Sequence, residues 1–495
     1  MRCHLALLAA LALACASSPP GSSKHSADPG PPPVTCAVPV QLQDVSQPSA
    51  VVGDGTPGSC TMAALQAAAS GGGTIVFRCG SAPATITVSS PIVFKKETVL
   101  DGAGLVTLSG GGTSRILHLD SAYDQAGPRL VVQRLTFRDG SSPRNGDDTA
   151  VGGGAIYRDG GSLTVIDCAF LDNRAPWPGQ DIAGGAIYGF GGGETVIVGS
   201  RFAGNMASNG GAVGSLNGDL TLVNTTFTGN TAAGTGGNPG QGGCGGAVYM
   251  DGGHEHTTLC GVTIASNLAG GLGGGFFRVS NDATGAFTMD RSSVDSNKVT
   301  PAGAGNAGGL YLQGLQLTVT NSTVSRNQAF YNGGMWITGG QVQLTNVTVA
   351  ENTAFGSNGG GLWLSGSPAG TLLNCTIANN RATGKDVVAG AIFGGGLTLQ
   401  NTLVAGNGAM WRPGCDVTHG DGGGNLQWPS GASCTASPTV ADPGLGLLGD
   451  HGGPTETLVP DPASSAVLRG SGCPATDQRG RLRGTPCTAG AVEVP

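Results

Sequence analysis

A short pattern of one apolar residue, two further residues and an asparagine occurs nine times along the middle of this chain. The pairs are Phe170/Asn173, Phe202/Asn205, Phe227/Asn230, Ile264/Asn267, Val294/Asn297, Val324/Asn327, Val349/Asn352, Ile377/Asn380 and Val404/Asn407. Successive asparagines stand 25 to 37 residues apart. A period of this length is typical of stacked repeats, in which each unit is too small to bury its own apolar face.

Other positions in the same units alternate as they do in β-strands. Five residues before the apolar position stand Val165, Ile197, Leu222, Leu259, Met289, Val319, Leu344, Leu372 and Leu399, often with another apolar residue two places earlier. Such spacing turns one strand face inward. Because no helical pattern interrupts the array, we predict an all-β fold, a single-stranded parallel β-helix (a solenoid) of about 11–12 coils spaced about 4.8 Å apart.

A second row of asparagines stands three residues before the apolar position, at Asn224, Asn321, Asn346, Asn374 and Asn401. Asparagine tolerates the left-handed backbone conformation and forms local hydrogen bonds in turns. We therefore expect this row at one corner of successive coils, where its amides can link into a ladder.

A third pattern, once per unit, joins two small residues, a glycine or alanine, an apolar residue and usually an aromatic one, as in Gly245 to Tyr249. Glycine pairs suit tight turns. In strands such as Leu310 to Leu312, alternation turns the flanking residues inward and the aromatic residue outward. The predicted outward row, a candidate binding surface, is Tyr157, Tyr188, Tyr249, Phe277, Tyr311, Trp336, Trp363 and Phe393.

Two interpretations of this aromatic row are open. Long turns can cover the rings, or the rings can stack on one another as a structural ladder. Alternatively the rings form a platform for sugars, since aromatic faces are apolar surfaces with polar edges.

Composition limits the classes of molecule that this protein can bind. The chain has 495 residues, 91 of them glycine, without a collagen period. Only 11% of the residues are charged, and the net charge of −7 is spread without a basic patch. Nucleic acid is therefore excluded as a partner.

The N-terminal region predicts export. Met1 to Ala14 carries Arg2 and then an apolar run, too short to cross a membrane, that reads as a signal peptide over residues 1–15. Residues 16–35 form a Ser/Pro/Gly-rich linker. Thr61 to Ser70 is a helix candidate that precedes the first strand, Thr74 to Phe77, and is well placed as an N-terminal helical cap. We assign residues 36–115 to this cap and the first coils, 116–407 to the repeats and 408–495 to a C-terminal cap.

These patterns resemble known families. Residues 150–407 resemble bacterial right-handed parallel β-helix proteins, and also the GGA-I and F-x-x-N repeats of polymorphic outer-membrane proteins. Ala12-Leu13-Ala14-Cys15 resembles a bacterial lipobox, which implies lipidation of Cys15; ordinary cleavage after Ala16 is the alternative.

The C-terminal part resembles the choice-of-anchor Q domain, which implies a cell-surface or secreted location and no single activity. The matching residues are Asn401 to Asn407, Gly414-Cys415-Asp416, Gly424 to Leu426, Asp442-Pro443, Gly452 to Thr455, Cys473-Pro474, Asp477 to Gly480, Cys487 and Gly490 to Glu493.

Thirteen cysteines fit an oxidising compartment. Cys60/Cys79, Cys415/Cys434 and Cys473/Cys487 bracket short loops in the two caps and are predicted disulfides; the last two would staple the C-terminal cap. Cys168 and Cys375 fall within strands and are expected as buried thiols. Cys36, Cys244 and Cys260 stay unassigned.

Candidate chemistry is sparse. Asp159 and Asp251 share the aromatic face but stand about three coils, roughly 14 Å, apart, whereas glycoside chemistry needs two closer carboxylates.

Three further groups carry charge or imidazole. Asp147-Asp148 reads as a solvated pair, His254-Glu255-His256 is a weak metal signal because it offers two histidines alone, and Asp477-Gln478-Arg479 reads as a structural ion pair. We predict no cofactor and no metal site.

The sequence thus favours an exported cell-surface β-helix protein that serves as an adhesion, glycan-binding or structural surface module. The alternative is a polysaccharide lyase or glycoside hydrolase of the β-helix type. A surface or extracellular polysaccharide is the expected partner. We expect contact with a membrane only through the N-terminal lipid, and a monomer.

Overall fold

The computed structural model describes residues 35–144, 148–300 and 305–494, which form a parallel β-solenoid of about 12 turns. This confirms the predicted fold class. Cys15, the signal peptide and Asp147 lie outside the described residues. Within them, no helix is long and apolar enough to cross a membrane.

The coils contribute strands to three parallel sheets, and the third sheet is confined to seven of the coils. In sheet I, with 26 strands, the first row is Ala50–Val52, Gly73–Phe77, Thr98–Ser109, Arg129–Arg138, Ser162–Ile166, Thr195–Val198, Leu220–Val223, His256–Cys260, Ala286–Asp290, Gln316–Thr320, Gln341–Thr345, Ala369–Leu373, Leu397–Gln400 and Gly420–Asp421. After a corner, its second row is Ala84–Thr87, Ala169–Leu171, Arg201–Ala203, Thr226–Thr228, Thr263–Ala265, Ser293–Asp295, Thr323–Ser325, Thr348–Ala350, Thr376–Ala378, Leu403–Ala405, Leu426–Trp428 and Thr439–Val440. The long strands Thr98–Ser109 and Arg129–Arg138 run through the corner and pair in both rows.

The other two sheets complete the coils. Sheet II has 11 strands: Ile92–Phe94, Leu117–Asp120, Ile156–Asp159, Ile187–Phe190, Val213–Leu216, Val248–Gly252, Phe276–Ser280, Leu310–Gln313, Met335–Thr338, Leu362–Ser365 and Ile392–Phe393. Sheet III has 7: Met206–Ala207, Thr231–Ala232, Leu268–Ala269, Lys298–Val299, Gln328–Ala329, Thr353–Ala354 and Arg381–Ala382. Three short strands of sheet I extend beyond the predicted repeat end at Asn407.

The core fills the inside of the coils. The aliphatic positions predicted to point inward, from Val165 to Leu399, are all buried. Phe137, Phe170, Phe202 and Phe227 stack on successive coils, with ring centroids 4.6 to 4.9 Å apart. Stacked aromatic and aliphatic columns remove large apolar areas from water, and they hold the coils in register.

A helix closes the N-terminal end of this core, as predicted. It spans Met62–Gly71, and the side chain of Thr61 caps it by accepting a hydrogen bond from the backbone N–H of Ala64. Leu65 and Ala69 are buried against the first coils. Short 3-10 turns occur at Pro57–Ser59 and Asp148–Ala150.

Glycine pairs allow the turns before sheet II. Gly245 has a φ of +67°, and a Cβ on Gly246 would collide with the carbonyl oxygen of Gly274 in the next coil. A side chain at either position would therefore strain the turn or push two coils apart.

The two rows of asparagine behave differently. We call Asn173, Asn205, Asn230, Asn267, Asn297, Asn327, Asn352, Asn380 and Asn407 the asparagine ladder. Along it each side-chain amide donates to the side-chain oxygen of the next asparagine, at 2.9 to 3.0 Å. The continuous ladder is therefore in the apolar/Asn pattern, and our assignment of a ladder to the other row is wrong except for two pairs.

The other row, the corner asparagines, is Asn224, Asn321, Asn346, Asn374 and Asn401. All five have a left-handed φ of 47° to 55°, as predicted, between the two strand rows of sheet I. Only Asn321 with Asn346 and Asn374 with Asn401 bond to each other, at 3.1 Å.

Terminal segments bond to most of these corners. The N-terminal segment (residues 35–49) donates the backbone N–H groups of Thr35 and Cys36 to Asn224 at 2.8 Å. The C-terminal segment (441–494) accepts from Asn346, Asn374 and Asn401 through the backbone carbonyls of Thr476, Thr488 and Ser471 respectively.

Disulfides join these segments to the solenoid or close them locally. The structure contains the three pairs expected from spacing, Cys60–Cys79, Cys415–Cys434 and Cys473–Cys487, together with Cys36–Cys260. Cys168, Cys244 and Cys375 are free and buried, and burial raises the pKa of Cys168 and of Cys375 to about 12.

Candidate functional site

The aromatic row lies on the outer face of sheet II, as alternation predicts. Leu310 and Leu312 are buried in the main core, whereas Tyr311 packs in a separate cluster outside it. From Tyr157 to Phe393 the members of the row occupy paired positions on neighbouring parallel strands of sheet II. Gly214 is the one position in this register that lacks a ring. The sequence therefore assigns each ring to the correct face.

The row divides into a covered half and a half-buried one. Tyr157, Tyr188, Tyr249 and Phe277 are at most 4% exposed, and loop residues such as Ala183 and Cys244 pack over them. For these four outward-facing rings the first interpretation applies, because loops cover them, and they offer no open platform for a sugar. Tyr311, Trp336, Trp363 and Phe393 are only half-buried.

Neighbouring rings of the row stack face to face on one another. Trp336 and Trp363 stack at 4.5 Å with planes 11° apart, and Phe277 and Tyr311 stack at 5.1 Å. The half-buried rings consequently present mainly their edges to solvent. Beside them Gln313, Thr338 and Ser365 form a polar strip, and the indole N–H of Trp336 donates to Ser365 at 2.9 Å.

The two outward aspartates do not form a catalytic pair. Their strands are separated by three steps of register, through Phe190 and Leu216, as predicted. Asp251 is buried and accepts from Tyr249, Asn238 and Asn281 at 2.6 to 2.9 Å. These three donors satisfy the hydrogen-bonding capacity of the Asp251 carboxylate within the protein.

A cleft of about 620 Å³ opens where sheet II turns into sheet I. We call it the turn cleft, and its lining residues are Tyr123, Asp124, Gly192, Asn217, Gly218, Asp219, Gly253, His254, Glu255 and His256. The turns of three successive coils form its floor, so it extends over two coil spacings, about 10 Å. Tyr123 and Asp124 reach it from a longer turn of an earlier coil.

Local contacts fix the aromatic wall of the cleft. Tyr123 is 42% exposed, and its ring lies 4.8 Å from that of Phe190. Its hydroxyl accepts a hydrogen bond from the side-chain amide of Asn217 at 2.7 Å, and its carbonyl accepts from the N–H of Gly192 at 3.0 Å. Asn217 has a left-handed φ of 54°, which turns the chain sharply after Leu216.

Two arginines lie under the floor, in positions where alternation calls for apolar residues. Arg158 donates to the carbonyl oxygen of Gly161 at 2.9 Å, and Arg278 donates to that of Glu255 at 2.7 Å. Both side chains are fully buried, and burial lowers the pKa of Arg158 to about 10. These guanidinium groups hold the backbone of the turns that shape the cleft.

Glu255 has an unusual environment. It is 7% exposed, and its Oε2 has no hydrogen-bond donor among the described residues. The nearest cation is Nη2 of Arg278, at 3.8 Å. Asp219 accepts the backbone N–H of His256 at 2.8 Å, which ties the two neighbouring turns together.

The two histidines of the His254-Glu255-His256 triplet are brought together at the cleft. His256 begins a strand, His254 lies in the turn before it, and both side chains are exposed. Within the described residues, no group of three His, Cys, Asp or Glu side chains could hold a metal ion.

Sequence reasoning found only the triplet at this site. It missed Tyr123, Asp124, Asn217 and Asp219, because these residues belong to turns of unequal length that no repeat alignment superimposes. A usable signal was Asn217, because the residue directly after a sheet II strand is most often glycine, as at Gly191 and Gly314.

The other charged residues that the sequence analysis names either have a structural role or lie outside the described residues. Asp477 and Arg479 form an ion pair at 2.8 Å that is almost fully buried, in accordance with the structural interpretation. Asp148 begins a 3-10 turn, and its partner in the predicted pair, Asp147, lies outside the described residues.

Comparisons with known proteins concern the solenoid. No curated protein matches the chain. The Azotobacter vinelandii mannuronan C-5 epimerase AlgE4 A-module is 15% identical over 75% of this chain and 100% of its own, with a TM-score of 0.36. The corresponding AlgE6 A-module is 14% identical over 72% and 94%, with a TM-score of 0.33. Residues 240–427 match the family model described as "Right handed beta helix region".

Proposed function

We propose that this protein is an exported surface module that binds an extracellular glycan in the turn cleft. The observation that supports the proposal is the lining of the cleft. One exposed aromatic ring, Tyr123, stands over a floor that offers carboxylate, amide and imidazole groups. Sugars present apolar C–H faces and many hydroxyl groups, so a ring with convergent polar groups matches them.

The shape of the cleft supports an oligomeric ligand. It is open, and its floor runs along the solenoid axis for about 10 Å, two coil spacings. A chain of several sugar units can lie along such a floor, with one unit against Tyr123.

Direct binding measurements test the proposal. Soluble oligosaccharides of neutral, amino and uronic acid sugars would be titrated by calorimetry. We expect Tyr123→Ala and His256→Ala each to weaken binding of the best ligand about tenfold, which is about 1.4 kcal/mol. Trp411→Ala is the matched control, because this ring is 58% exposed and lies outside the cleft.

Two results would contradict this assignment. One is the absence of binding by every oligosaccharide class. The other is binding that Tyr123→Ala and His256→Ala leave intact.

The half-buried part of the aromatic row is a second proposed glycan surface. Its edges and the strip of Gln313, Thr338 and Ser365 can contact a sugar chain. Ligand-dependent tryptophan emission that disappears in a Trp336→Phe/Trp363→Phe variant supports this surface. Unchanged emission during saturable binding eliminates it.

A polysaccharide lyase or hydrolase is the alternative, and Glu255 is the observation in its favour. Its carboxylate is buried between two exposed histidines of the chain, and its Oε2 has no hydrogen-bond donor among the described residues. Buried carboxylates beside imidazoles are typical of acid–base groups. The same oligosaccharides would be incubated with the protein and their chain lengths measured. Shortening that Glu255→Gln abolishes supports an enzyme, and unchanged chain lengths support a binding module.

Export and anchoring complete the proposal. Four disulfides indicate an exported protein. We propose that Cys15 carries a lipid and that the C-terminal segment is a choice-of-anchor Q domain. A Cys15→Ser variant should then appear in the medium instead of the membrane fraction; membrane retention of this variant would contradict the anchor.

A further inference from the structure

We infer that the glycine-rich loop of residues 233–243 covers a further sugar subsite, which accepts an N-acetylated sugar when the loop opens. This inference rests on the proposed glycan binding and extends the second of the two proposed surfaces, the half-buried part of the aromatic row. Strand register, the contacts of Asn238 and the composition of the loop support it.

The half-buried surface continues in register beneath the loop. In sheet II the strip position of Gln313 pairs with Val279, and Val279 pairs with Asp251. Among the rings, Tyr249 lies two coils before Tyr311 in the same register. The rings and the polar strip therefore lead to a tyrosine and a carboxylate that lie two coil spacings, about 10 Å, closer to the N-terminal end.

The side chain of Asn238, at the tip of the loop, occupies this position. Its amide donates to the hydroxyl of Tyr249 at 3.1 Å and to the carboxylate of Asp251 at 2.6 Å. With the loop in place, Tyr249 is 1% exposed and Asp251 is 8% exposed. A ligand group that replaces Asn238 would take the space of its side chain, so both partners are within reach of a ligand once the loop has moved.

Few contacts hold the tip of the loop. More than half of the residues in the loop are glycine, and residues 235–241 include no buried apolar side chain. Besides the amide just described, the N–H of Gly240 donates to Oε1 of Gln180 at 3.1 Å, and the hydroxyl of Ser208 donates to the carbonyl of Gln241 at 3.4 Å. A segment with so little buried apolar surface opens at a low cost in free energy, and a ligand can stabilise the open form.

The surroundings of the carboxylate favour an N-acetyl group. The negative charge of Asp251 acts on the buried guanidinium of Arg278, so an ammonium group would add a second positive charge there. Val279 and Phe277 lie in the apolar cluster beside it. An acetamido group offers an amide N–H, as Asn238 does, together with a methyl group for the apolar neighbours, whereas a sugar hydroxyl offers only the donor.

Shortening the loop tests the inference. A Cβ on Gly234 would lie 2.5 Å from the carbonyl carbon of Gly242, so deletion of residues 235–241 joins backbone that is already adjacent. N-acetylglucosamine tetramer would be titrated by calorimetry in a Tyr123→Ala/His256→Ala background, in which the turn cleft contributes little. We expect the deletion to tighten binding about tenfold, which corresponds to an open form that makes up about a tenth of the protein with the full loop.

Controls identify the group that is uncovered. In the shortened protein, Asp251→Asn should remove most of the gain, because the N–H of the ligand loses its carboxylate acceptor. Glu351→Gln changes a carboxylate in a different groove and should retain the gain. Glucose tetramer, which lacks the acetamido group, should gain at most about twofold. Thermal melting of each variant establishes that it is folded.

Hydrogen exchange in the unmodified protein tests the opening without a variant. The N–H of Gly240 bonds to Gln180 only while the loop is closed, so its protection reports the closed form. We expect N-acetylglucosamine tetramer to reduce the protection of Gly240 and to slow exchange in the strand Val248–Gly252. Protection of Gly240 that stays equal or rises during saturable binding overturns the opening.

The outcomes separate this inference from the proposed function. Unchanged affinity after the deletion overturns the inference, and binding in the turn cleft, measured with Tyr123 and His256 in place, is unaffected by that result. An equal gain for glucose tetramer overturns the assignment to N-acetylated sugars. If no oligosaccharide binds to the protein with or without the loop, the proposed function fails as well.

Discussion

The asparagine ladder and the corner asparagines have the same period and the same side chain, but they hold different parts of the molecule together. In the ladder each amide bonds to the next coil, so the row connects repeat to repeat. At the corners most amides bond to the N- or C-terminal segment, so this row connects the solenoid to its coverings. The difference teaches that a repeated residue takes its role from what lies next to it, and not from its period.

Breaking the ladder should have the largest effect. Asn297→Ala removes the acceptor for the N–H and amide of Asn267, and the donor to Ile264 and Asn327. Several buried groups lose their partners, and we expect a loss of about 4 kcal/mol in the free energy of unfolding. Urea unfolding followed by circular dichroism measures it. A loss smaller than that of the corner variant described below would show that the ladder does not hold the coils together.

Removing the disulfide of the N-terminal segment should have the next largest effect. Cys36 and Cys260 are 224 residues apart, and a Cys36→Ser/Cys260→Ser variant should lose about 3 kcal/mol. Hydrogen exchange should accelerate in residues 35–43 and stay slow in the ladder. The Cys60→Ser/Cys79→Ser variant, which opens a short loop, is the control. Equal exchange in residues 35–43 before and after removal would mean that the noncovalent contacts of this segment, among them the bonds to Asn224 and Gln133, hold it without the disulfide.

A change of pH acts on neither asparagine row, because asparagine side chains do not titrate. Any loss of stability on acidification therefore comes from other groups of the solenoid. Burial and the positive charges of Arg115 and Lys95, opposed by the carboxylate of Asp120, together lower the pKa of His118 to about 4. The unfolded chain takes up this proton from about pH 6.5, so stability falls as the pH drops from 6.5 to 4, by about 2 kcal/mol at pH 5. Unfolding at pH 7 and pH 5 measures the loss. His118→Gln should flatten the dependence, and an unchanged slope would assign it elsewhere.

A corner substitution should have the smallest effect. Asn374→Gly keeps the left-handed backbone and removes the amide bonds to Thr488 and Asn401. We expect a loss of about 1 kcal/mol, together with faster exchange in the C-terminal segment. Exchange that accelerates equally in the coils would show that the corner row also connects repeats.

The sequence predicts the solenoid well because its signals are local and repeated. Alternation places Leu310, Tyr311 and Leu312 on the correct faces, and asparagine predicts the left-handed corners. It cannot decide which asparagine row forms the ladder, since both rows have the same period and only three-dimensional contacts distinguish them. Strand alternation also fails to predict that Arg158 and Arg278 are buried, because it assigns apolar residues to the inward positions that these two arginines occupy.

The candidate site could be predicted only in part. The His254-Glu255-His256 triplet is visible in the sequence, but its neighbours Tyr123, Asn217 and Asp219 come from other turns. Turn length varies between coils, so residues that meet in space have no fixed spacing along the chain. The partner of Cys36 could not be predicted either, because 224 residues separate Cys36 from Cys260 and no spacing rule connects them.

The C-terminal segment reaches far back along the solenoid, and this has a consequence for the order of assembly. Gln478 donates to Thr323 at 2.8 Å across 155 residues, and Ala491 donates to Thr376 at 2.9 Å. During synthesis or export from the N-terminus, each coil can form on the one before it, but these bonds must wait until the C-terminal segment is present. A chain interrupted before residue 441 thus retains stackable coils, and it lacks the bonds that this segment makes to Asn346, Asn374 and Asn401.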